Sequence, residues 1–226
     1  LIKINFSLIA PATGAVAGGI NFAFYAFLGA LVGSFTRPFG GWLSDRLGGA
    51  RVTVGAFSAM VLFTGGVLWT LTQLTPIGAA ADPAAAAEAN KQWFPLFLGF
   101  FLLVFAATGI GNGSTYRMIP TIWRYEATEG LAPEPTSDTW RAAVLKATKE
   151  SSAAVGIIGA VGALGGFLIP MMFGAPWIED PLSSVKNAFV LFIGYYLVCA
   201  LVTWAVYLRR GARLAAAGFT EGDYLD

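Results

Sequence analysis

An arginine at position 37 lies inside an apolar stretch, residues 22–43, that carries no other charge. Placing a guanidinium in hydrocarbon costs at least about 2.5–3.5 kcal/mol on insertion scales, so such a side chain normally faces a pocket with an anionic partner. The group is permanently charged, and its planar fork of N–H donors suits a planar anion. A long cationic side chain can instead snorkel to the membrane interface. Arg37 therefore indicates either an anion site or an interfacial charge.

Pro38 and the glycine pair Gly40 and Gly41 follow this arginine. Proline removes one helical hydrogen bond, and glycine permits bending. The helix can therefore be interrupted beside the charge.

Polar side chains alternate with glycine in the segment Thr108–Arg117, where glycine occupies positions 109, 111 and 113. Glycines two apart point to different faces of a helix, so they do not form a simple packing stripe. We expect backbone exposed to a cavity, with the Asn112 amide and the Tyr116 hydroxyl available to a ligand. Packing of small residues is the alternative interpretation.

The segment Gly156–Gly166 is also rich in glycine. Gly162 and Gly166 form a G-x-x-x-G pair, and Gly156 with Ala160 places small residues on an adjacent stripe. Both spacings favour close contact with a neighbouring helix. Packing alone would explain this segment if it stood by itself.

A charged motif with the spacing Gly-x-x-x-Asp-Arg-x-Gly-x-x-Arg runs from position 41 to position 51. Its carboxylate, Asp45, lies at the carboxyl end of a predicted helix, where the helix dipole disfavours negative charge. We therefore expect Asp45 to have a partner on another element, either a helix amino terminus or an arginine. An exposed turn with ordinary interfacial charges is the alternative.

The elements that must position these motifs are membrane helices. Of the 226 residues, 56% are hydrophobic and 12% are charged, against roughly 25% charged in an ordinary soluble domain. The sequence contains apolar blocks long enough to cross a hydrocarbon core of about 30 Å at about 1.5 Å per residue. We predict an all-α integral membrane fold with five transmembrane helices, over residues 22–43, 52–74, 94–121, 153–173 and 188–208.

The basic residues divide unevenly between alternate loops, and cytoplasmic loops retain positive charge. One side holds only Lys3, Lys91 and Lys186. The other side holds Arg46, Arg51, Arg124, Arg141, Lys146, Lys149, Arg209, Arg210 and Arg213. We therefore expect the first span to enter from outside and residues 211–226 to form a cytoplasmic tail.

Two of the loops have helical patterns. The outer loop, residues 75–92, is rich in alanine and is expected to serve as a connection with a short surface helix. In the inner loop, residues 137–150 are expected to form a helix that leads into the fourth span, with Ser137 or Asp138 as its N-cap.

Together, Arg37 with the charged motif and the two glycine-rich elements resemble the carboxyl-terminal half of the nitrate/nitrite porters. The charged motif resembles the signature loop of the major facilitator superfamily, to which those porters belong. The resemblance covers residues 1 to about 210. It implies a twelve-helix carrier, of which this chain holds the last five helices, with residues 1–6 as the end of the seventh. It also implies an amino-terminal half outside this chain.

The resemblance implies roles for individual residues. Arg37 matches the substrate-binding arginine, and Tyr116 matches an aromatic residue that stacks on the flat anion. Gly159 and Gly162 lie in a signature that lets backbone approach the substrate, and Asn112 lies in the other glycine element.

The resemblance also implies a conformational lock. Asp45 matches a residue that docks at the start of the penultimate helix, expected here near Ser151. Arg46 and Arg51 complete a charge cluster that holds one transport state closed. No role is implied for Arg117.

The resemblance implies transport of nitrate and nitrite by alternating access at the cell inner membrane. The chain has no histidine, and its five predicted spans contain no Asp or Glu, so these helices offer no obvious proton relay. We therefore expect nitrate/nitrite exchange. Three alternatives stay open: proton-coupled nitrate uptake, a carrier for another small organic solute such as a sugar or drug, and a non-transporting membrane scaffold or sensor.

The remaining function classes are disfavoured by composition. Without histidine and with one cysteine, Cys199, the chain has no catalytic or metal-ligating constellation, so we expect no enzymatic activity, cofactor or metal. A net charge of +1 indicates no nucleic-acid partner. The expected partners are the anions, the lipid bilayer and the other transporter half.

Overall fold

The architecture is helical throughout most of the chain. A computed structural model describes residues 6–9, 16–25, 27–77, 80–131, 137–173 and 181–209. Within these ranges the α-helices are α1 (Leu28–Leu47), α2 (Gly49–Thr72), α3 (Pro83–Asn90), α4 (Phe94–Thr128), α5 (Asp138–Phe173) and α6 (Pro181–Thr203). Short 3-10 turns cover Phe22–Phe24 and Lys91–Trp93, and a π-helical segment, Trp204–Leu208, continues α6.

Long apolar helices confirm the predicted all-α membrane fold. Within the described ranges, four stretches are long and apolar enough to cross a bilayer: Gly49–Thr72, Pro83–Thr128, Asp138–Phe167 and Val185–Leu208. The remaining long helix, α1, has 20 residues and therefore a length of about 30 Å. It is less apolar because it carries Arg37, Asp45 and Arg46. The chain is a multi-pass membrane protein.

Helix α1 is continuous, so the interruption that Pro38 and the glycines would permit beside Arg37 does not occur. The helix runs through Pro38 and both following glycines to Leu47. It begins at Leu28, not at residue 22, because Phe22–Phe24 form a 3-10 turn. Gly48, with φ of +85°, separates α1 from α2, and this left-handed φ favours glycine because glycine has no Cβ.

The two predicted loop helices are present, each with a capped amino terminus. In α3, the Asp82 carboxylate accepts hydrogen bonds from the backbone N–H groups of Ala84 and Ala85, at 3.0 and 3.1 Å. At the start of α5, the Ser137 hydroxyl accepts a hydrogen bond from the Trp140 N–H at 3.2 Å. Such caps satisfy helix donors that have no intrahelical acceptor. The α5 helix therefore starts at the residue after Ser137, as predicted.

A short antiparallel hairpin precedes the helices. Its strands are β1 (Ser7–Ile9) and β2 (Val16–Gly19), with Ser7 opposite Gly19. The predicted end of an earlier helix concerns residues 1–6, of which only Phe6 lies among the described residues. Phe6 is fully buried against the rings of Phe94 and Phe97.

Helix α4 lies at the centre of the packing. It contacts α1, α2 and α5, while α2 also packs on α6. The main buried cluster surrounds the amino-terminal part of α4 and consists of Phe6, Val67, Leu71, Leu74, Phe94, Phe97, Val185 and Phe189.

Candidate functional site

Glycines hold α4 close to α1. A Cβ at Gly109 would overlap the Gly33 carbonyl oxygen, and a Cβ at Gly113 would overlap the Arg37 carbonyl oxygen. From the other side, a Cβ at Gly40 would overlap the backbone of Ile110. Backbones approach this closely only where side chains are absent. The glycines of the Thr108–Arg117 segment therefore serve helix packing.

The interpretation of this segment as cavity-exposed backbone was wrong, and packing of small residues is the correct alternative. Gly111 faces a third helix: its Cβ would lie 3.1 Å from the Ala56 Cβ of α2. The two-residue glycine spacing thus arises because α4 packs on two neighbours at once. Gly109 and Gly113 face α1, and Gly111 faces α2.

The close crossing sets the backbone of Arg37 directly against α4. Arg37 is the tenth residue of the 20-residue α1 and is exposed. Among the described residues, its side chain makes no hydrogen bond or ion pair. Asn112, next to Gly113, is half-buried. The structure thus places Arg37 and Asn112 at one helix crossing.

Tyr116 links this crossing to α5. It follows Gly113 by three residues on α4, and its side chain is 37% exposed. Its hydroxyl oxygen lies 3.8 Å from the position that a Cβ of Gly159 would occupy. Gly162, one turn farther along α5, has open space at the same position. The predicted aromatic and glycine groups are therefore brought together, with an open face beside Gly162.

The predicted packing of the α5 glycines is not realised within the described part of the chain. A Cβ at Gly156, Gly162 or Gly166 would have no atom within 4 Å. Most residues of α5 from 156 to 167 are exposed. These glycines present bare backbone along one side of the bundle, in contrast to those of α4.

The charged motif is anchored by an ion pair to α4. Arg117 Nε donates to Asp45 Oδ1 at 2.7 Å, with side-chain exposures of 51% and 43%. The expected docking of Asp45 on a helix amino terminus near Ser151 was wrong, because α5 begins at Asp138. Ser151 is buried in the middle of α5 and donates to the Thr148 carbonyl. The alternative partner, an arginine, is the one observed.

The two arginines of the motif, Arg46 and Arg51, have different surroundings. The Arg46 guanidinium lies over the Trp42 ring, 4.2 Å from its centroid, one turn back on α1. Arg51, in the first turn of α2, lines a groove between α1, α2 and α4. The three charged residues of the motif therefore point to three different environments.

A buried polar cluster beside the ion pair was not predicted as part of the site. Ser114 donates to the Gly49 carbonyl at 2.8 Å and shares a 2.9 Å hydrogen bond with Thr53. The Thr53 hydroxyl is then the donor to Ser114, and the Met118 sulfur, 3.6 Å from the Thr53 hydroxyl oxygen, is an alternative acceptor for the same proton. The signal was the matching i, i+4 spacing on the two helices: Gly49 with Thr53, and Ser114 with Met118. This cluster fixes α2 to α4 next to Arg117.

The sequence is similar to known anion transporters. It is 35% identical over 193 residues to the nitrate/nitrite transporter NarU of Salmonella typhimurium and 35% identical over 191 residues to NarU of Escherichia coli. It is also 30% identical over 189 residues to the probable nitrate/nitrite antiporter NarK2 of Thermus thermophilus. The chain is a homologue of the nitrate/nitrite transporters. No protein-family model matches it.

The similarity extends over most of this chain but only part of each transporter. The aligned residues make up 84% of the chain and 37% of each NarU protein, and 83% of the chain and 33% of NarK2. The chain therefore spans about a third of the length of these nitrate/nitrite transporters. The predicted resemblance is confirmed.

Proposed function

We propose that this chain forms part of the anion site of a nitrate/nitrite transporter. The observation that carries the proposal is the Arg37 guanidinium, which lies near the middle of the 20-residue helix α1 and has no ion-pair partner among the described residues. In a helix that crosses a membrane, an uncompensated charge at its middle is costly. A bound anion would supply the missing partner, and the homologous proteins are named for nitrate and nitrite.

The neighbouring groups suit a small planar anion. A guanidinium fork can donate two parallel hydrogen bonds to two oxygens of one anion. Tyr116 lies on the adjacent helix α4, and its hydroxyl oxygen lies 3.8 Å from the position that a Cβ of Gly159 would occupy. We assign Asn112 as a further donor, and Gly159 and Gly162 as positions where the bare backbone admits the substrate. Because the relatives are longer than this chain, the proposal assigns the remaining groups of the site to sequence outside these 226 residues.

The Asp45–Arg117 ion pair is proposed as a conformational lock. It joins the carboxyl-terminal turn of α1 to α4, about two turns along α1 from Arg37. An exposed ion pair contributes only about 0–1 kcal/mol, so it can form and break within a transport cycle. In this proposal, Arg46 and Arg51 hold the same end of the bundle through their separate contacts.

The mode of transport is proposed to be nitrate/nitrite exchange. The empty site would carry an uncompensated arginine charge across the membrane, whereas the occupied site would be neutralised. Reorientation is therefore expected mainly with an anion bound. No histidine occurs in the chain, and the described helical stretch Gly49–Thr72 has no carboxylate that could carry a proton.

Counterflow in proteoliposomes tests this function. The full-length protein would be reconstituted into vesicles loaded with nitrite, and labelled nitrate uptake would be followed with the pH gradient abolished by an ionophore. Exchange predicts rapid uptake that depends on internal nitrite. Proton-coupled nitrate uptake predicts instead that transport requires the pH gradient and proceeds without internal anion.

The proposed orientation places the carboxyl-terminal tail in the cytoplasm and the protein in the inner membrane. It is supported by the concentration of Lys and Arg in alternate loops. Reporter fusions after residue 209 and within residues 75–92 provide the test. A cytoplasm-specific reporter should be active only at the first position, and the reverse pattern would invert the topology.

A further inference from the structure

One concave feature of the structure lies away from the groups assigned to the anion. It is a groove of about 520 Å³ between α1, α2 and α4. Its wall includes Leu47, Gly55, Phe63, Leu103 and Ile110, and within the described part of the chain Arg51 is the only charged residue that lines it. Arg37, Tyr116 and Gly159 do not line it. The groove is therefore separate from the groups assigned to the substrate.

The length of the groove matches one leaflet of a membrane. Along α2 its wall extends from Arg51 to Phe63, a distance of about 18 Å at about 1.5 Å per residue. Half of a hydrocarbon core of about 30 Å is about 15 Å. Arg51 lies in the first turn of α2, at the end where the helix meets the membrane interface. The apolar wall then continues toward the bilayer midplane.

The charge distribution selects the kind of molecule that fits. An apolar channel open to lipid suits an acyl chain, and a basic residue at its interfacial end suits a phosphate head group. Among the residues that the structure describes, no Asp or Glu lines the groove. Arg46, in the last turn of α1, adds a second positive charge near this end.

We propose that the groove between α1, α2 and α4 binds an anionic phospholipid, with an acyl chain along Gly55 and Phe63 and the phosphate at Arg51. The proposal requires only that the protein is embedded in a membrane, so it does not rest on nitrate transport. The expected ligand has a net negative head group, since a neutral lipid would bind through the apolar wall alone and would gain less from the charge of Arg51.

Two variants separate the two parts of the groove. Arg51→Gln removes the charge and keeps the apolar wall. Gly55→Leu fills the channel, and it does so without backbone conflict because a Cβ at Gly55 has no atom within 4 Å. Gly65→Leu is the matched control, since Gly65 lies on the same helix with equally open space but outside the groove. Arg141→Gln is the charge control, an exposed arginine on α5 at the same end of the bundle.

The measurement is native mass spectrometry of the full-length protein, purified in detergent with phosphatidylglycerol or with phosphatidylcholine of the same acyl chains. We expect one retained phosphatidylglycerol to be preferred over phosphatidylcholine. Arg51→Gln should lower retention of phosphatidylglycerol about fivefold, the effect of removing one basic contact near the surface. Gly55→Leu should lower retention of both lipids, and both control variants should bind as the parent does.

Three outcomes would overturn the proposal. The first is equal retention of both lipids by the parent protein. The second is retention that neither Arg51→Gln nor Gly55→Leu changes while both variants keep the parent's size-exclusion profile and melting temperature. The third is a parent dimer that Gly55→Leu converts to monomer, which would assign the groove to a protein contact.

Discussion

Asp45 at the carboxyl end of α1 accepts a 2.7 Å hydrogen bond from the Arg117 guanidinium in α4. The carboxylate thus relieves its unfavourable position at a helix carboxyl terminus through a cation on another helix. Arg117 is the residue after Tyr116, whose hydroxyl oxygen lies 3.8 Å from the position that a Cβ of Gly159 would occupy. The ion pair is therefore next in sequence to one of the proposed substrate groups.

Breaking this ion pair should impair transport more than stability. Arg117→Gln removes the charge of the arginine. Because both side chains are about half exposed, the free energy of unfolding should fall by no more than about 1 kcal/mol. Nitrate uptake in proteoliposomes should fall several-fold, since the lock can no longer close. The exchanged double variant, Asp45→Arg with Arg117→Asp, should recover part of the rate. If unfolding of the variant fully explained the loss of uptake, the Asp45–Arg117 ion pair would stabilise the fold and would not act as a conformational lock.

The glycine crossing predicts a position-specific cost on α4. Gly113→Ala should destabilise the protein by about 1–3 kcal/mol, because its Cβ would overlap the Arg37 carbonyl oxygen. Gly65→Ala on α2 should be neutral or stabilising, since that position is open and alanine favours helix. Thermal unfolding of both variants in the same detergent provides the comparison. Equal melting temperatures would contradict the close α1–α4 approach.

The buried hydroxyl cluster predicts a further stability effect. Ser114→Ala removes the hydrogen bonds to Gly49 and Thr53 and should cost about 1–3 kcal/mol, because both groups are left buried without this partner. Ser58→Ala is the control: Ser58 is exposed and bonds only to the Val54 carbonyl in its own helix. Denaturant or thermal titration would measure the difference. A Ser114→Ala variant as stable as Ser58→Ala would show that the cluster does not fix α2 to α4.

The Tyr116 ring is expected to matter through its face more than its hydroxyl. Tyr116→Phe retains the ring and should keep most of the nitrate uptake rate. Tyr116→Ala removes the stacking surface beside Gly159 and should lower the rate at least tenfold, with normal membrane insertion. Initial uptake rates, normalised to the amount of reconstituted protein, would test this. A severe defect in Tyr116→Phe would assign the hydroxyl, not the ring, to the substrate.

Local signals in the sequence predicted much of the fold. The long apolar blocks predicted the membrane helices. The N-cap pattern at Ser137 and Asp138 predicted the start of α5, where Ser137 is the residue that accepts the capping hydrogen bond. Helix ends were less predictable: α1 begins at Leu28, after the predicted start of the first span at residue 22. Likewise α4 extends to Thr128, past the predicted end at residue 121.

The site was predicted less completely, because its partners depend on which helices meet. The sequence indicated that the Asp45 carboxylate needs a partner. The spacing of the charged motif could not show whether that partner is a helix amino terminus or an arginine such as Arg117. The alternating glycines of α4 looked like cavity-exposed backbone because a single sequence does not show that two helices contact different faces. The proximity of Tyr116 to Gly159 likewise requires the packing of α4 on α5.

The central claim is that the Arg37 guanidinium binds the anion, and Arg37→Lys tests it most directly. Lysine keeps the charge but loses the planar fork, and losing one charge-assisted hydrogen bond of about 1.5–3 kcal/mol corresponds to about 10- to 100-fold. Nitrate uptake by the reconstituted full-length variant should fall by that factor, while Arg141→Lys transports normally and both variants insert and fold as the parent does. Near-normal uptake by Arg37→Lys would contradict the account.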